Sequence, residues 1–312
     1  MTRAVEAAFC EALGPGRLGA QVSLSSLTTF RTGGPAEWYL ETSDREEVLL
    51  ALTTADDLQL PVTILGGGSN VLVAENGVRG LVIRFRHGTI SRSRPGCVLA
   101  GGGVSLNGLV RWTVGRGLAG LERWAGTPGT VGGAIHGNAH FDGHLIGTQV
   151  VAVGLVDRRG REAVVTASEM RFGYDRSRLQ VTHEVVLWAE FVVTEGDPET
   201  LRATARGSLA YRKQTQPLTH ASAGCVFQNP PADHEGLRDG LPASAGALIE
   251  RAGLKGVAIG GASVSPIHGN FIVSDGAASA HDIRELIEHC RVTVRQRFDI
   301  TLCDEVIYLG EF

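Results

Sequence analysis

The sequence predicts an α+β fold in three stretches: a small β-α-β unit, a strand-rich middle and a mixed α/β tail. Three observations lead there. Helix-period and strand-period apolar patterns alternate from Leu27 to Arg84, short β-branched runs dominate from Thr89 to about Gly196, and longer amphipathic helices follow. Glycine supplies 42 of 312 residues, about 13% against a usual ~7%, with no Gly-X-Y period. A fold so rich in glycine needs many positive-φ turns or close backbone approaches.

The chain opens with a short amphipathic helix over 4–13, closed by Gly14, Pro15 and Gly16. A strand at 37–41 then precedes a helix over 43–56, with Ser43 as N-cap and Glu46 three residues on. A buried strand at 61–65 runs into the loop Gly66-Gly67-Gly68-Ser69-Asn70, and strands follow at 71–73 and 81–85. Further strands are expected at 97–100, 150–156, 162–165 and 184–193, with a helix over 105–114 among them. After Gly196, 198–214, 243–252 and 280–298 read as helices, and 271–274 and 303–309 as strands.

Composition excludes several functions. The 29 basic and 33 acidic side chains leave a net charge of -4 without blocks of one sign, which argues against a nucleic-acid partner. Glu6 and Glu11 interrupt the apolar N-terminal stretch, and no apolar run approaches the ~18 residues of a membrane span, so a cytoplasmic protein with no membrane partner is expected. Cys10, Cys97, Cys225, Cys290 and Cys303 form no Cys-x-x-Cys, which argues against a disulfide framework and a zinc site. His136, His140 and His144 recur every fourth residue, but Gly137 and Gly143 make a common helix improbable and no metal is expected. Gly115, Gly117 and Gly120 match G-x-G-x-x-G after a helix instead of before one, which suits a helix end and not a dinucleotide fingerprint.

Two glycine loops carry the chemistry. In the first, Gly66, Gly67 and Gly68 free successive N–H groups to wrap a pyrophosphate, with Ser69 and Asn70 adding side-chain donors. The second runs from Ala125 to Ala139, with five glycines and Pro128 in 15 positions alongside Val131, Ala134 and Ile135. Such a segment suits a backbone lying against a large ligand.

With Thr29 to Ala36, Ser222 to Pro230 and His268 to Phe271, these loops stand in the order and spacing of a known family. From about Leu27 to Phe312 the chain resembles the UDP-N-acetylenolpyruvoylglucosamine reductases. The resemblance implies a two-lobed FAD-binding region of the vanillyl-alcohol-oxidase type and a C-terminal α/β substrate domain. Boundaries expected on that basis are 1–20 for an N-terminal helical extension, 21–85 and 86–200 for the flavin lobes, and 201–312 for the substrate domain. It implies FAD as cofactor, held by Gly66, Gly67, Gly68, Ser69, Asn70, Gly126, Thr127, Pro128, Thr130, Gly132, Gly133, Ala134 and Asn138. NADPH is the implied hydride donor and UDP-N-acetylglucosamine enolpyruvate the implied substrate, in a protein expected to be a monomer.

The same resemblance places Cys225 as proton donor and Glu305 as the glutamate that polarises the substrate carboxylate or relays a proton. An unperturbed thiol, with a pKa of ~8.5, is mostly protonated at neutral pH and can donate. Asp304 is the rival of Glu305, since neighbours on a strand face opposite ways. The family's Tyr-Arg-x-Ser reads Tyr174-Asp175-Arg176-Ser177 here, so Arg176 is expected to take the arginine's part through a one-residue bulge, or Arg178 from the next same-face position. Tyr174, Lys213 and Asn229 are the implied substrate contacts. No long insertion separates the flavin and substrate regions, which suits a compact subgroup. Two alternatives stand beside the reductase: a flavin oxidase of the same fold, and a UDP-sugar-binding regulatory protein that has lost catalysis, the latter supported by Asp175.

Overall fold

The computed structural model describes residues 2–86, 88–237 and 240–312. They pack into two compact units, one formed by Met1–Val22, Ala36–Gly67 and Arg79–Ala210, the other by Ser23–Pro35, Gly68–Val78 and Tyr211–Phe312.

The first unit holds two sheets. Pro35–Thr42 alternates strictly, burying Ala36, Trp38, Leu40 and Thr42, as a strand with one covered face must. It lies between Gly19–Ser23 and Val78–Phe85, and Val62–Ile64 completes the sheet parallel to Val78–Phe85. The helix Arg45–Asp57 buries Val48, Ala51, Leu52 and Ala55, the i, i+3, i+4, i+7 spacing of one helical face. Its N-cap is Asp44, which accepts from Glu46 N, and not Ser43 as expected. Either residue can cap, and the carboxylate at 44 gains from the helix dipole as well. The N-terminal helix Thr2–Leu13 seals the same core with Val5 and Phe9.

The second sheet is antiparallel in the order 162–166, 150–156, 185–192, 97–101, 90–94. Its interior strands are nearly continuous apolar runs, whereas Ile90–Arg94 is an exposed edge whose Ser and Arg residues carry no strand signature. The helix Leu106–Val114, capped by the Ser105 hydroxyl, closes that core and ends at Gly115 as expected of a glycine-capped helix.

In the second unit the helix Ala280–Phe298 buries Ile283, Leu286, Ile287, Cys290 and Val294 against Ala245–Arg251 and the small sheet of 258–259, 262–264 and 272–274. Ser279 and Asp282 form a reciprocal capping box at its start. The expected strand at 303–309 shortens to Ile307–Leu309, parallel to Val71–Val73. Residues 303–306 instead make isolated bonds to 226–228 and form no continuous ladder. Replacing Ser279 by Ala should cost about 1 kcal/mol, read as a lower urea midpoint, since one N-terminal N–H then loses its acceptor.

Candidate functional site

The first unit folds its two glycine loops against each other. The strand expected to be buried at 61–65 is Val62–Ile64, half-buried with Ile64 exposed because it lies at the sheet edge; buried Leu65 follows it, donates its N–H to Ile83 O at 2.9 Å, and the chain leaves into Gly66 and Gly67. A Cβ on Gly67 would stand 2.7 Å from Gly129 Cα, and one on Gly66 would stand 2.6 Å from Thr130 Oγ1. The Gly67 contact is backbone against backbone, so no rotamer change relieves it. Among the described residues, the N–H groups of Gly66, Gly67, Gly129 and Thr130 donate to no protein acceptor. Unsatisfied donors on two touching loops are the equipment of an anion site, and a pyrophosphate would satisfy them.

Thr130 also caps the helix Val131–His136 by accepting from Gly133 N at 3.2 Å. Val131, Ala134 and Ile135 are buried by that helix, which explains apolar residues in a segment otherwise built of glycine. Gly132 N donates to Gly102 O at 2.8 Å and Gly126 N to Asn107 Oδ1 at 2.9 Å, so these two glycines anchor the loop to the strand-rich core. Asn138 is fully buried at φ 47°; its Oδ1 accepts from Gly147 N and its Nδ2 donates to Gly173 O, both at 2.8 Å. Its amide therefore ties the glycine loop to the segment at 173.

That segment is a tight turn and not a bulge. Gly173 and Arg176 exchange backbone hydrogen bonds of 2.9 and 3.2 Å, which leaves Tyr174 and Asp175 at the tip, Asp175 with φ 50°. Ser177 Oγ donates to His136 O at 2.7 Å, a second tie to the helix after the glycine loop. Arg178 is engaged by Glu184 through two bonds of 3.0 and 3.1 Å, whereas Arg176 is exposed. His140 meets this turn with Nδ1 3.0 Å from Asp175 Oδ1, and its ring packs on Tyr174 at a centroid distance of 4.8 Å. Neither the His140–Asp175 pair nor the ties that form it carry a motif in the sequence.

In the second unit the first loop continues through Gly68, whose φ of +63° and 2.1 Å approach to Leu27 O exclude a side chain. Thr29 N donates to Gly68 O at 2.9 Å. Asn70 accepts from Ile307 N at 3.0 Å through its carbonyl, and its Nδ2 donates to Glu305 O at 3.0 Å, so it holds the terminal segment by its backbone. Glu305 N donates to Val226 O at 2.9 Å, which sets the Glu305 segment beside that of Cys225. Asp304 is bonded to Arg291 at 2.8 Å and to Tyr308 OH at 3.3 Å, so of the two neighbouring carboxylates it is the one committed to the helix Ala280–Phe298.

Cys225 is half-buried on a segment clamped by Asn270, a buried residue that the sequence reading left without a role. Asn270 O accepts from Val226 N at 2.9 Å, its Oδ1 from Phe227 N at 3.0 Å, and its Nδ2 donates to Phe227 O at 2.7 Å. Lys213 is exposed on the last turn of Pro198–Thr215, while Arg212 beside it is buried. Burial pushes the Arg212 guanidinium down to about 10, and the neighbouring Cys225 acts in the opposite sense. Asn229 is exposed, with Oδ1 accepting from Ala245 N at 2.9 Å at the start of the helix Ala245–Arg251.

Two family models match: "UDP-N-acetylenolpyruvoylglucosamine reductase, C-terminal domain" over residues 216–309 and "FAD binding domain" over residues 36–166. The UDP-N-acetylenolpyruvoylglucosamine reductase of Synechococcus sp. (strain WH7803) is 40% identical over 301 residues, which is 95% of this chain and 94% of that one. The chain belongs to the UDP-N-acetylenolpyruvoylglucosamine reductase family. A second relative bearing that name, from Symbiobacterium thermophilum, is 40% identical over 95% of this chain and 93% of its own. The solved UDP-N-acetylenolpyruvylglucosamine reductase of Thermus caldophilus superposes with a TM-score of 0.80 at 33% identity, covering 94% of this chain and 99% of that one. The architecture is therefore the two-lobed FAD-binding type with the reductase C-terminal domain, and FAD is the cofactor. The unspent donors of Gly66, Gly67, Gly129 and Thr130 fit its pyrophosphate.

Replacing Gly67 by Ala should destabilise the protein by about 1–3 kcal/mol, as overpacking does, and separate the two loops. The purified variant is expected to lose most of its flavin absorbance while its far-ultraviolet circular dichroism stays near that of the parent.

Proposed function

We propose that this protein reduces UDP-N-acetylglucosamine enolpyruvate to UDP-N-acetylmuramate, with NADPH as hydride donor to bound FAD, in the cytoplasmic synthesis of peptidoglycan. Full-length membership of the reductase family carries this reading. The touching glycine loops supply the pyrophosphate donors that FAD requires. The functional division follows the flavin lobes to about residue 200 and the substrate domain from 201. No helix of the described residues is long and apolar enough to cross a membrane, in keeping with a diffusible nucleotide-sugar substrate.

When bound, FAD would supply the hydride that the enolpyruvyl methylene carbon receives, with NADPH as its source. What the chain must then do is stabilise negative charge beside a carboxylate and protonate the adjacent carbon. Cys225 donates that proton from its thiol, and solvent returns one to the thiolate. The Asn270 clamp fixes the backbone of Val226 and Phe227, and with it the place from which Cys225 acts. Glu305 supports the carboxylate end, a part open to it because Asp304 is tied to Arg291. Arg176 supplies positive charge, a part for which Arg178 is poorly placed while Glu184 engages it. Tyr174, Lys213 and Asn229 contact the sugar nucleotide, Lys213 as a point charge for its diphosphate.

The regulatory reading rested on an anionic Asp175 beside developing negative charge. Its carboxylate faces His140, which removes that objection to catalysis.

An anaerobic titration tests the function. The flavin band should bleach with NADPH and return on adding UDP-N-acetylglucosamine enolpyruvate; a bleached band that the sugar fails to restore, with oxygen excluded, would sink the reductase. Replacing Cys225 by Ala should slow that return by about 10²–10⁴-fold and leave bleaching intact, whereas Cys225→Ser should retain most of the rate, because a hydroxyl also carries a proton.

A further inference from the structure

Backbone hydrogen bonds hold the segment of Glu305 beside that of Cys225, and they are unevenly spaced. Gln228 N donates to Cys303 O at 2.9 Å, while Glu305 N and Val306 N share the Val226 carbonyl at 2.9 and 3.4 Å. Two successive N–H groups on one carbonyl mark a β-bulge, a device that re-aims a side chain. Here the residue at the bulge is Glu305. Phe227 and Asp304 form an isolated bridge between the two segments. Such a bridge fixes few backbone angles by itself, so the aim of the bulge depends on side chains that grip its flanks. Asn270 pins the Cys225 segment from one side.

Arg291, in the helix Ala280–Phe298, grips the pair from the other. Its guanidinium donates through Nη1 to Leu302 O at 2.9 Å, through Nη2 to Asp304 Oδ1 at 2.8 Å and through Nε to Glu288 Oε2 at 2.9 Å. The same group lies 5.4 Å from the centroid of the buried Phe227 ring, within cation–π range. One planar fork therefore touches both segments, just before the bulge and opposite it. Tyr308 OH adds a 3.3 Å bond to the same Asp304 oxygen from beyond the bulge. An arginine suits this task where a lysine would not, because its donors stand at fixed angles and reach several acceptors at once.

We propose that Arg291 is a positioning residue for the reaction: it commits Asp304 to the helix and holds the bulge that aims Glu305 at the substrate carboxylate. The proposal rests on the reductase reading. It makes the choice between the two neighbouring carboxylates the work of one side chain on another element.

The test uses the full chain loaded with FAD. In Arg291→Met, which keeps the aliphatic stem, return of the bleached flavin with saturating UDP-N-acetylglucosamine enolpyruvate should slow about tenfold, while FAD content and bleaching by NADPH stay within about twofold. Asp304→Ala should slow the return by a similar factor, and Asp304→Asn, whose oxygen still accepts from Nη2, should recover most of the rate. The deciding comparison is made in a Glu305→Gln background. There Arg291→Met should slow the residual rate by less than about twofold, because a residue that acts through Glu305 has nothing left to position. The full factor repeated in that background would show general support of the fold and overturn the assignment. An unchanged rate in Arg291→Met, or equal losses in Asp304→Asn and Asp304→Ala, would overturn it too. Should Arg291→Met fail to hold FAD, the two Asp304 variants in the two backgrounds decide by the same criteria. Hydrogen–deuterium exchange at the Glu305 and Val306 amides needs no turnover; it should accelerate at least about tenfold in Arg291→Met, and unchanged exchange would overturn the lock. A parent protein whose bleached flavin the sugar fails to restore would instead overturn the reductase reading, with exchange still deciding whether Arg291 holds the bulge.

Discussion

The flavin side of this protein hangs on a contact between two glycines, Gly67 and Gly129, whose backbones approach too closely for any β-carbon. The contact has two effects. It leaves the N–H groups of Gly66, Gly67, Gly129 and Thr130 without protein acceptors among the described residues, available for a pyrophosphate, and it sets Thr130 where its hydroxyl can cap the helix Val131–His136. That helix delivers Asn138 into the core, and Asn138 in turn holds the turn of Tyr174 and Asp175. A side chain at 67 would therefore be felt well beyond position 67, because each later tie is a short directional bond with little slack.

The second unit reaches similar rigidity by another route. Around Cys225 the backbone does not sit within a broad sheet; it is pinned by one buried asparagine and by the Glu305 segment. Asn270 presents a donor and an acceptor to Phe227, in addition to a backbone bond to Val226, and such satisfied buried networks hold one geometry well. A reactive thiol benefits from this arrangement, since its backbone is fixed while the side chain stays half-open.

Much of the fold was legible because its signals have few competing explanations. The helix Ala280–Phe298 and the strand Val150–Val156 match the sequence reading end to end, the strand from a valine-rich run without a charged residue. Misreadings fall where the deciding term is not local. Ser43 and Asp44 are both competent caps, and only the path of the chain chose Asp44. Residues 303–306 lack a continuous strand partner, so the expected element shortened to Ile307–Leu309. The edge strand Ile90–Arg94 has too little buried surface to leave a pattern.

By itself the sequence determined the glycine loops, the amphipathic helices and the family, since each is written in residues close together along the chain or in motifs kept in order. Tertiary structure alone decided which side chains those motifs leave available. Asn138 and Asn70 read as cofactor ligands, yet their amides anchor backbone; Arg178 read as a rival to Arg176, yet Glu184 engages it. His140 and Asp175, far apart in sequence, meet only because Asn138 and Ser177 draw their segments together. Periodicity and composition report burial, whereas hydrogen-bond partnership depends on angles and distances between segments that no local pattern encodes.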